Sequence, residues 1–145
     1  MQKKQISGGG ETRRFVVVLG DGDSVGDSLL EFANAEGLTG HFSAIGGVRE
    51  ATIAFWDPAT KQYRNNTIRE QLEVAAFMGS IAIDDEKDKR KLHGHIVLGR
   101  RDGHAMAGHL VSAIAYPTFE VLFTESAVTL RRAKDEATGL ALLSL

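Results

Sequence analysis

Four of the five histidines in the 145-residue chain lie within Leu92–Phe123, and they are His93, His95, His104 and His109. An imidazole changes charge near neutral pH, and the neutral ring is a frequent ligand of divalent metals. The sequence has no cysteine, so disulfides and thiolate metal sites are excluded. A metal would need His or carboxylate ligands, and this stretch is the first candidate for such chemistry.

The sequence around these histidines predicts a β-hairpin. Residues Leu92–Gly99 alternate in polarity as a strand does. Arg101–Gly103 can then form a three-residue loop, because Gly103 accepts the positive φ that such a loop requires. The closing pair of the hairpin is Arg100 with His104.

The register of this hairpin decides which histidines share a face. His95 falls opposite His109, and His93 is the next residue on the same face of its strand. Directly opposed β-carbons lie roughly 4.5–5.5 Å apart, so three imidazoles converge on one patch. His104 has the opposite parity and points away. A two-residue loop would move His109 off the face, so the register is a testable prediction.

Three neutral imidazoles on a rigid patch suit Zn or a similar divalent ion, with metal–nitrogen bonds of roughly 2.0–2.1 Å. The fourth position is then free for water or substrate, and the metal can lower the pKa of that water to about 7. Glu73 and Glu120 are the candidate proton partners by strand placement, and nothing in the sequence fixes either. The competing interpretation is structural, because a lone His is more often a hydrogen-bonded core residue than a ligand.

The N-terminal part of the chain contains the main predicted helix. The run Arg13–Leu19 predicts a buried strand. Asp23 or Ser24 can cap a helix that runs to about Glu36, where Gly37 suits the C-terminal end. The apolar side chains of this helix recur at helical spacing, and they are Val25, Leu29, Phe32 and Ala33.

The rest of the chain mostly predicts strands. A period-two pattern begins at His41, and further strand patterns occupy Phe119–Thr124, Ala127–Arg132 and the apolar tail. Val111–Ala115 is predicted to be a short helix or an irregular segment. The predicted fold class is α+β, a mostly antiparallel β-sheet with one main N-terminal helix and short additional helices.

Length and composition limit the domain count and the classes of function. Residues 1–12, which include three consecutive glycines, predict a flexible lead-in, and residues 13–145 predict a single domain. The net charge is -2, with 17 Lys and Arg against 19 Asp and Glu, so the chain lacks the basic surplus typical of duplex-binding proteins. No apolar run approaches the roughly 20 residues that cross a bilayer. We therefore expect a cytoplasmic protein with no membrane partner.

A glycine motif near the N-terminus has a structural interpretation. Gly20, Gly22 and Gly26 lie between a predicted strand and a predicted helix, as a dinucleotide-binding loop would. The spacing is one residue too long for that fingerprint. Asp21 and Asp23 would also repel a pyrophosphate, so turn and cap chemistry explain these residues better.

Two other polar groups are interpreted as lacking a functional role. Arg131, Arg132 and Lys134, together with Arg13 and Arg14, could form a basic patch, but charged residues at strand ends usually face water. His41 precedes a strand and has no visible partner. We interpret both groups as solvated or locally hydrogen-bonded.

The chain resembles the PPC domain family, also called DUF296, which occurs alone in prokaryotes and fused to AT-hooks in plants. The matching runs, in chain order, are Phe42–Arg49 (FSAIGGVR), Phe55–Pro58 (FWDP), Lys61–Tyr63 (KQY), Leu72–Val74 (LEV), Gly79–Ile81 (GSI), His93–His95 (HGH), Asp102–Gly103 (DG), Gly108–Leu110 (GHL) and Thr118–Val121 (TFEV). Their order and spacing together are specific, and they span about residues 13–132.

The resemblance implies an α+β domain that assembles as a homotrimer. It also implies a metal site at His93, His95 and His109, as in stand-alone prokaryotic members. The Gly-Gly-His-Leu run of the family is replaced here by Ala107–Leu110 (AGHL). The family is often labelled DNA-binding because its plant members carry AT-hooks, and this sequence contains no Arg-Gly-Arg-Pro core of that kind.

Two functions follow from the sequence. The first is a metal-binding trimeric module of the PPC type, a DNA-binding or transcription-associated regulatory protein that acts through protein partners rather than through an AT-hook. The second is a small metal-dependent enzyme, a hydrolase or lyase, that uses water at the three-histidine site. The sequence assigns no catalytic residue and no organic cofactor.

Overall fold

The computed structural model of the protein describes residues 1–7, 10 and 12–144. This part of the chain forms nine strands and one α-helix. In chain order they are β1 (Gln2–Ser7), β2 (Arg14–Gly20), α1 (Val25–Glu36), β3 (Gly40–Asp57), β4 (Gln62–Ile68), β5 (Leu72–Asp84), β6 (Lys89–Gly99), β7 (Ala105–Glu125), β8 (Arg131–Lys134) and β9 (Ala141–Ser144).

The strands join in one sheet that is antiparallel except for the pairing of β5 with β8. Four strands pair in a closed circuit, because β3 pairs with β5, β5 with β6, β6 with β7, and β7 with β3. The length of β7 allows this, since its first half pairs with β6 and its second half pairs with β2. Closure leaves one face of these strands inside and the other outside.

Helix α1 packs its apolar stripe into the hydrophobic core, as its sequence pattern predicts. All four residues of its apolar stripe are buried, and they are Val25, Leu29, Phe32 and Ala33. Phe32 packs edge-on against Phe15 and Phe123, with ring centroids 5.2 and 5.4 Å apart. Gly37 ends the helix in the left-handed region, at φ 70°, and its N–H reaches the last carbonyls. The predicted helix and its boundaries are therefore confirmed.

The predicted α+β class with short additional helices is wrong. Strands dominate the described residues, and α1 is the one α-helix among them. The segment predicted as a short helix, Val111–Ala115, lies inside β7. Leu110 pairs with Ile53 and Ser112 with Thr52, which leaves Val111 as an extra residue in a bulge. The bulge exposes two successive residues and breaks the period-two pattern, so the local sequence no longer looks like a strand.

The ends of the chain also contain strands. The predicted lead-in, residues 1–12, includes β1, which pairs with β2 and was not predicted. The flexibility predicted at Gly8, Gly9 and Glu11 falls on residues outside the described part of the chain. The apolar tail forms β9, which pairs with β8 as a small C-terminal hairpin. No helix of the described residues is long and apolar enough to cross a bilayer.

Candidate metal centre

The histidine hairpin has the predicted register. His95 pairs with His109, and Gly99 pairs with Ala105 at the end of the ladder. The Arg100 N–H donates to the carbonyl oxygen of His104 at 2.8 Å, which closes the loop. Gly103 has φ 83°, the positive value that the three-residue loop requires. Loop length alone therefore sets which side chains meet across β6 and β7.

Three imidazoles converge on the outer face of this hairpin. The ring centroid of His93 lies 5.3 Å from that of His95 and 5.1 Å from that of His109. The centroids of His95 and His109 are 5.9 Å apart. One nitrogen from each ring lies within 4.8 Å of the others. His104 is not part of this group, because its side chain is 84% exposed and its Nδ1 lies 3.2 Å from Asp102.

Two inward-facing glycines allow the hairpin to lie close against its neighbours. A β-carbon on Gly94, between the first two histidines, would lie 2.5 Å from Cε2 of Phe77. A β-carbon on Gly108 would lie 2.9 Å from the carbonyl oxygen of Ala54. Distances this short are not tolerated between non-bonded heavy atoms, so glycine at these positions seats the histidine-bearing strands on the core.

Aromatic residues from the β3–β4 hairpin form a wall beside the histidines. The ring of Tyr63 stacks on His109, with centroids 4.9 Å apart and an interplanar angle of 26°. Trp56 packs edge-on against Tyr63 at 5.1 Å. Trp56 and Tyr63, together with the three histidines and Leu140, line a cleft of about 490 Å³. The lining of the cleft is therefore mainly apolar and aromatic, and the three imidazoles form part of it.

Burial keeps two of the three histidines neutral. Desolvation, followed by the positive charge of Arg132 and the neighbouring His109, lowers the pKa of His93 to about 4. Desolvation also lowers the pKa of His109, with a smaller contribution from His95. A neutral imidazole has a free lone pair, which is the form that a metal binds.

The donor set fits a divalent metal. In a tetrahedral site with bonds of roughly 2.05 Å, ligand nitrogens lie about 3.3 Å apart, so small ring rotations would bring these three into range. The Nδ1 of His109 is buried and has no hydrogen-bond partner among the described residues. An unpaired buried nitrogen costs roughly 1–3 kcal/mol unless something binds it. A set of three neutral imidazoles suits a divalent transition metal, since imidazole is a common ligand of Zn, Cu, Fe and Ni.

The predicted carboxylate partners do not lie at the site. Glu73 lies with Glu70 and Arg100 around a separate depression, and Glu120 lies beside Ile45 at another. Among the described residues that line the cleft around the histidines, none is a carboxylate. Acid–base catalysis by Glu73 or Glu120 at this centre is therefore not supported.

Sequence analysis missed one charged residue beside the histidines. Arg132, which was interpreted as solvated, is 4% exposed. Its Nη2 donates to Oγ of Ser80 at 2.8 Å, and its Nη1 donates to the carbonyl oxygen of Ala141 at 3.1 Å. Ser80 lies directly opposite His93 in the sheet. Strand alternation was the available signal, because neighbouring Arg131 and Arg132 point to opposite faces of a strand, and one of them is buried wherever one face packs on the protein.

The chain has relatives in known families and structures. The profile of the Plants and Prokaryotes Conserved (PCC) domain matches residues 6–127. A "putative dna binding protein" from Bacteroides thetaiotaomicron has a TM-score of 0.87 and 29% identity, over 98% of this chain and 96% of that chain. A metal-containing protein from Archaeoglobus fulgidus has a TM-score of 0.82 and 33% identity, over 91% and 93%.

A plant- and prokaryote-conserved (PPC) protein from Pyrococcus horikoshii has a TM-score of 0.84 over 99% of this chain and 95% of that chain. Its identity is 20%, so this likeness shows the fold alone. No curated protein matches the sequence.

Proposed function

This chain belongs to the Plants and Prokaryotes Conserved (PCC) domain family, and we propose that it is a module that binds one divalent metal, Zn, at His93, His95 and His109. The convergence of these imidazoles is the observation that carries the proposal, because one nitrogen from each ring lies within 4.8 Å of the others. The description of the Archaeoglobus fulgidus relative as metal-containing adds support.

Different features of the fold position each of the three histidines. The sheet fixes His95 opposite His109, so these two ligands are set by backbone pairing. The ring of Tyr63 stacks on the His109 ring and covers one of its faces. Burial keeps His93 neutral. His93, His95 and His109 would hold the metal as three protein ligands, and Zn would supply Lewis acidity to a water or ligand bound beside them.

Metal analysis tests this proposal. Protein purified without a metal-affinity step is expected to contain about one metal per chain by elemental analysis. His95→Ala removes one of three ligands and should reduce the metal content at least tenfold after dialysis. His104→Ala is the matched control, because His104 lies in the same hairpin and outside the cluster. Metal content far below one per chain in the unaltered protein, or equal content in His95→Ala, contradicts the proposal.

We further propose that the module is a cytoplasmic homotrimer that acts on transcription through protein partners. An outward-facing apolar group supports self-association, because Ile45, Met78 and Leu122 are 59%, 63% and 55% exposed and line one depression. Exposed apolar clusters of this kind mark interaction surfaces. The net charge of -2 favours protein partners over direct contact with duplex DNA.

The second candidate function is a small metal-dependent hydrolase or lyase. The open fourth ligand position and the cleft of about 490 Å³ favour it, because a purely structural metal site is usually closed. The described lining residues offer no carboxylate as a proton partner, which favours the binding module. An enzyme of this kind would have to take its proton-transfer group from the ligand or from solvent.

A further inference from the structure

Arg132 is a buried positive charge without a counter-ion among the described residues. Its side chain is 4% exposed, and it takes part in none of the ion pairs within 4 Å. A guanidinium has five N–H donors, and the two contacts of Arg132 are to neutral oxygens, those of Ser80 and Ala141. Its Nε is buried and has no hydrogen-bond partner in the part of the chain that the structure describes. Such a charge is costly to bury unless an anion pairs with it.

The position of Arg132 places this charge beside the metal centre. Arg132 lines a recess of about 110 Å³ together with Lys91, His93 and His109. That volume exceeds the roughly 15 Å³ that a single water needs, so the recess has room for a small ligand. Lys91 adds a second positive charge, although its Nζ also lies 3.5 Å from Asp84. The recess is therefore cationic before any metal adds its own charge.

The apolar cleft adjoins the cationic recess. Tyr63, His93, His109 and Leu140 line both cavities. A ligand with an anionic head and an apolar body would place the head near Arg132 and the body against Trp56 and Tyr63. A planar carboxylate suits the guanidinium, because its two oxygens can accept two parallel hydrogen bonds from the planar N–H groups, which a spherical anion such as chloride cannot do.

We propose that this joint cavity binds a small organic carboxylic acid, with Arg132 as the residue that recognises the carboxylate next to the metal's open position. The proposal rests on the proposed metal site, and it adds the chemical class of the ligand. Inorganic phosphate would fill the recess but leave the apolar cleft empty, so the geometry favours the organic acid.

Cobalt-loaded protein provides the test, because visible absorption of Co²⁺ reports ligands that enter its coordination shell. Acetate is expected to change the spectrum with saturation. Phenylacetate should bind more tightly than acetate, because its ring can pack on Trp56 and Tyr63. Sodium chloride at equal ionic strength should leave the spectrum unchanged, and phosphate should bind more weakly than phenylacetate. No saturable change with either carboxylate, or tighter binding of phosphate than of both, overturns the proposal.

Variants of two neighbouring arginines in β8 test whether Arg132 is the residue that binds the carboxylate. Arg132→Gln should still take up Co²⁺ and should bind phenylacetate at least tenfold more weakly, since a charge-assisted contact is lost. Arg131→Gln is the matched control, because Arg131 is the adjacent residue and pairs with Asp85 on the surface. If Arg132→Gln does not fold, Arg132→Lys takes its place and should bind at least threefold more weakly. Unchanged affinity in the folded variant overturns the proposal.

The two proposals fail in different ways. Protein that takes up no Co²⁺ contradicts the metal site itself. If the protein takes up Co²⁺ through the three histidines but its spectrum does not respond to carboxylates, the metal site is supported and the carboxylate proposal is contradicted. A purely structural role for Arg132, joining the C-terminal hairpin to β5, would reduce the melting temperature of Arg132→Gln without changing its phenylacetate affinity.

Discussion

At the scale of single residues, the candidate centre depends on one histidine whose environment favours the neutral ring and on one buried positive charge without a carboxylate partner among the described residues. His93 is held neutral by desolvation and by nearby positive charge, chiefly that of Arg132. Arg132 itself is buried without a carboxylate partner among the described residues, and burial lowers its pKa. The unpaired buried charge of Arg132 costs free energy in the metal-free protein, and the neutral His93 has a lone pair ready for a ligand, which together are typical of a functional site.

The neutral state of His93 predicts how the metal-free protein responds to acid. The pKa of His93 is about 4 in the folded protein and 6.5 in its ordinary state, so between these values the unfolded chain binds more protons. Stability is therefore fully present above pH 6.5 and is lost as pH falls towards 4. Because His93 is only half-buried, solvent screening limits the loss to about 1 kcal/mol.

Urea unfolding of the EDTA-treated protein at pH 7 and pH 5, at one protein concentration, checks this pH dependence. The unfolding midpoint should fall at the lower pH. His93→Gln cannot take up a proton and should show a smaller fall, whereas His104→Gln should behave like the unaltered chain. An equal fall in all three proteins would show that other groups cause the acid sensitivity.

At the scale of elements, the loop between β6 and β7 controls the alignment of the histidines. Gly103 has φ 83° and open space around its α-carbon, so a side chain there meets strain and no clash. Gly103→Ala should therefore reduce the free energy of unfolding by roughly 1 kcal/mol. Asn tolerates the left-handed region better than Ala, and Gly103→Asn should cost less.

A glycine in the helix gives the opposite expectation. Gly26 lies in α1, has open space and does not have a positive φ, so Gly26→Ala should stabilise the protein by up to about 1 kcal/mol. Urea midpoints of the three glycine variants measure both effects. Equal stability of Gly103→Ala and the unaltered chain would show that the loop does not need its positive φ.

At the scale of the whole molecule, the outward-facing apolar group bears on assembly. Light scattering should give the mass of three 15.7-kDa chains. Met78→Glu places a charge in the group formed with Ile45 and Leu122 and should reduce the mass to that of one chain. Val128→Glu alters an equally exposed apolar residue outside this group, since Val128 is 69% exposed, and should leave the mass unchanged. A monomeric mass for the unaltered chain would contradict the homotrimer.

The charge of the whole molecule bears on DNA binding. With 17 basic and 19 acidic residues, the chain has no basic surplus to displace counterions from phosphates. A gel-shift titration with random duplex at moderate salt should show no retarded band at micromolar protein. Retardation under these conditions would show that a local basic surface is enough, and would favour direct DNA binding over action through protein partners.

The sequence by itself determined the features that depend on neighbouring residues. Helix α1 follows from its apolar spacing and from Gly37, because helical contacts join residues three or four positions apart. The meeting of His95 with His109 follows from the loop at Gly103, because strand parity carries the register outward from the turn. The resemblance of the chain to the PCC family also came from the sequence.

Only the tertiary structure decided the features that depend on which distant strands pair. The bulge at Val111 arises from pairing with β3, so its own segment looked helical. Tyr63 reaches His109 because β3 pairs with both β4 and β7, and Arg132 reaches His93 because β8 pairs with the end of β5. Local alternation states which face a residue takes within its strand. It does not state which strand lies beside it, and the surroundings of the three histidines depend on that choice.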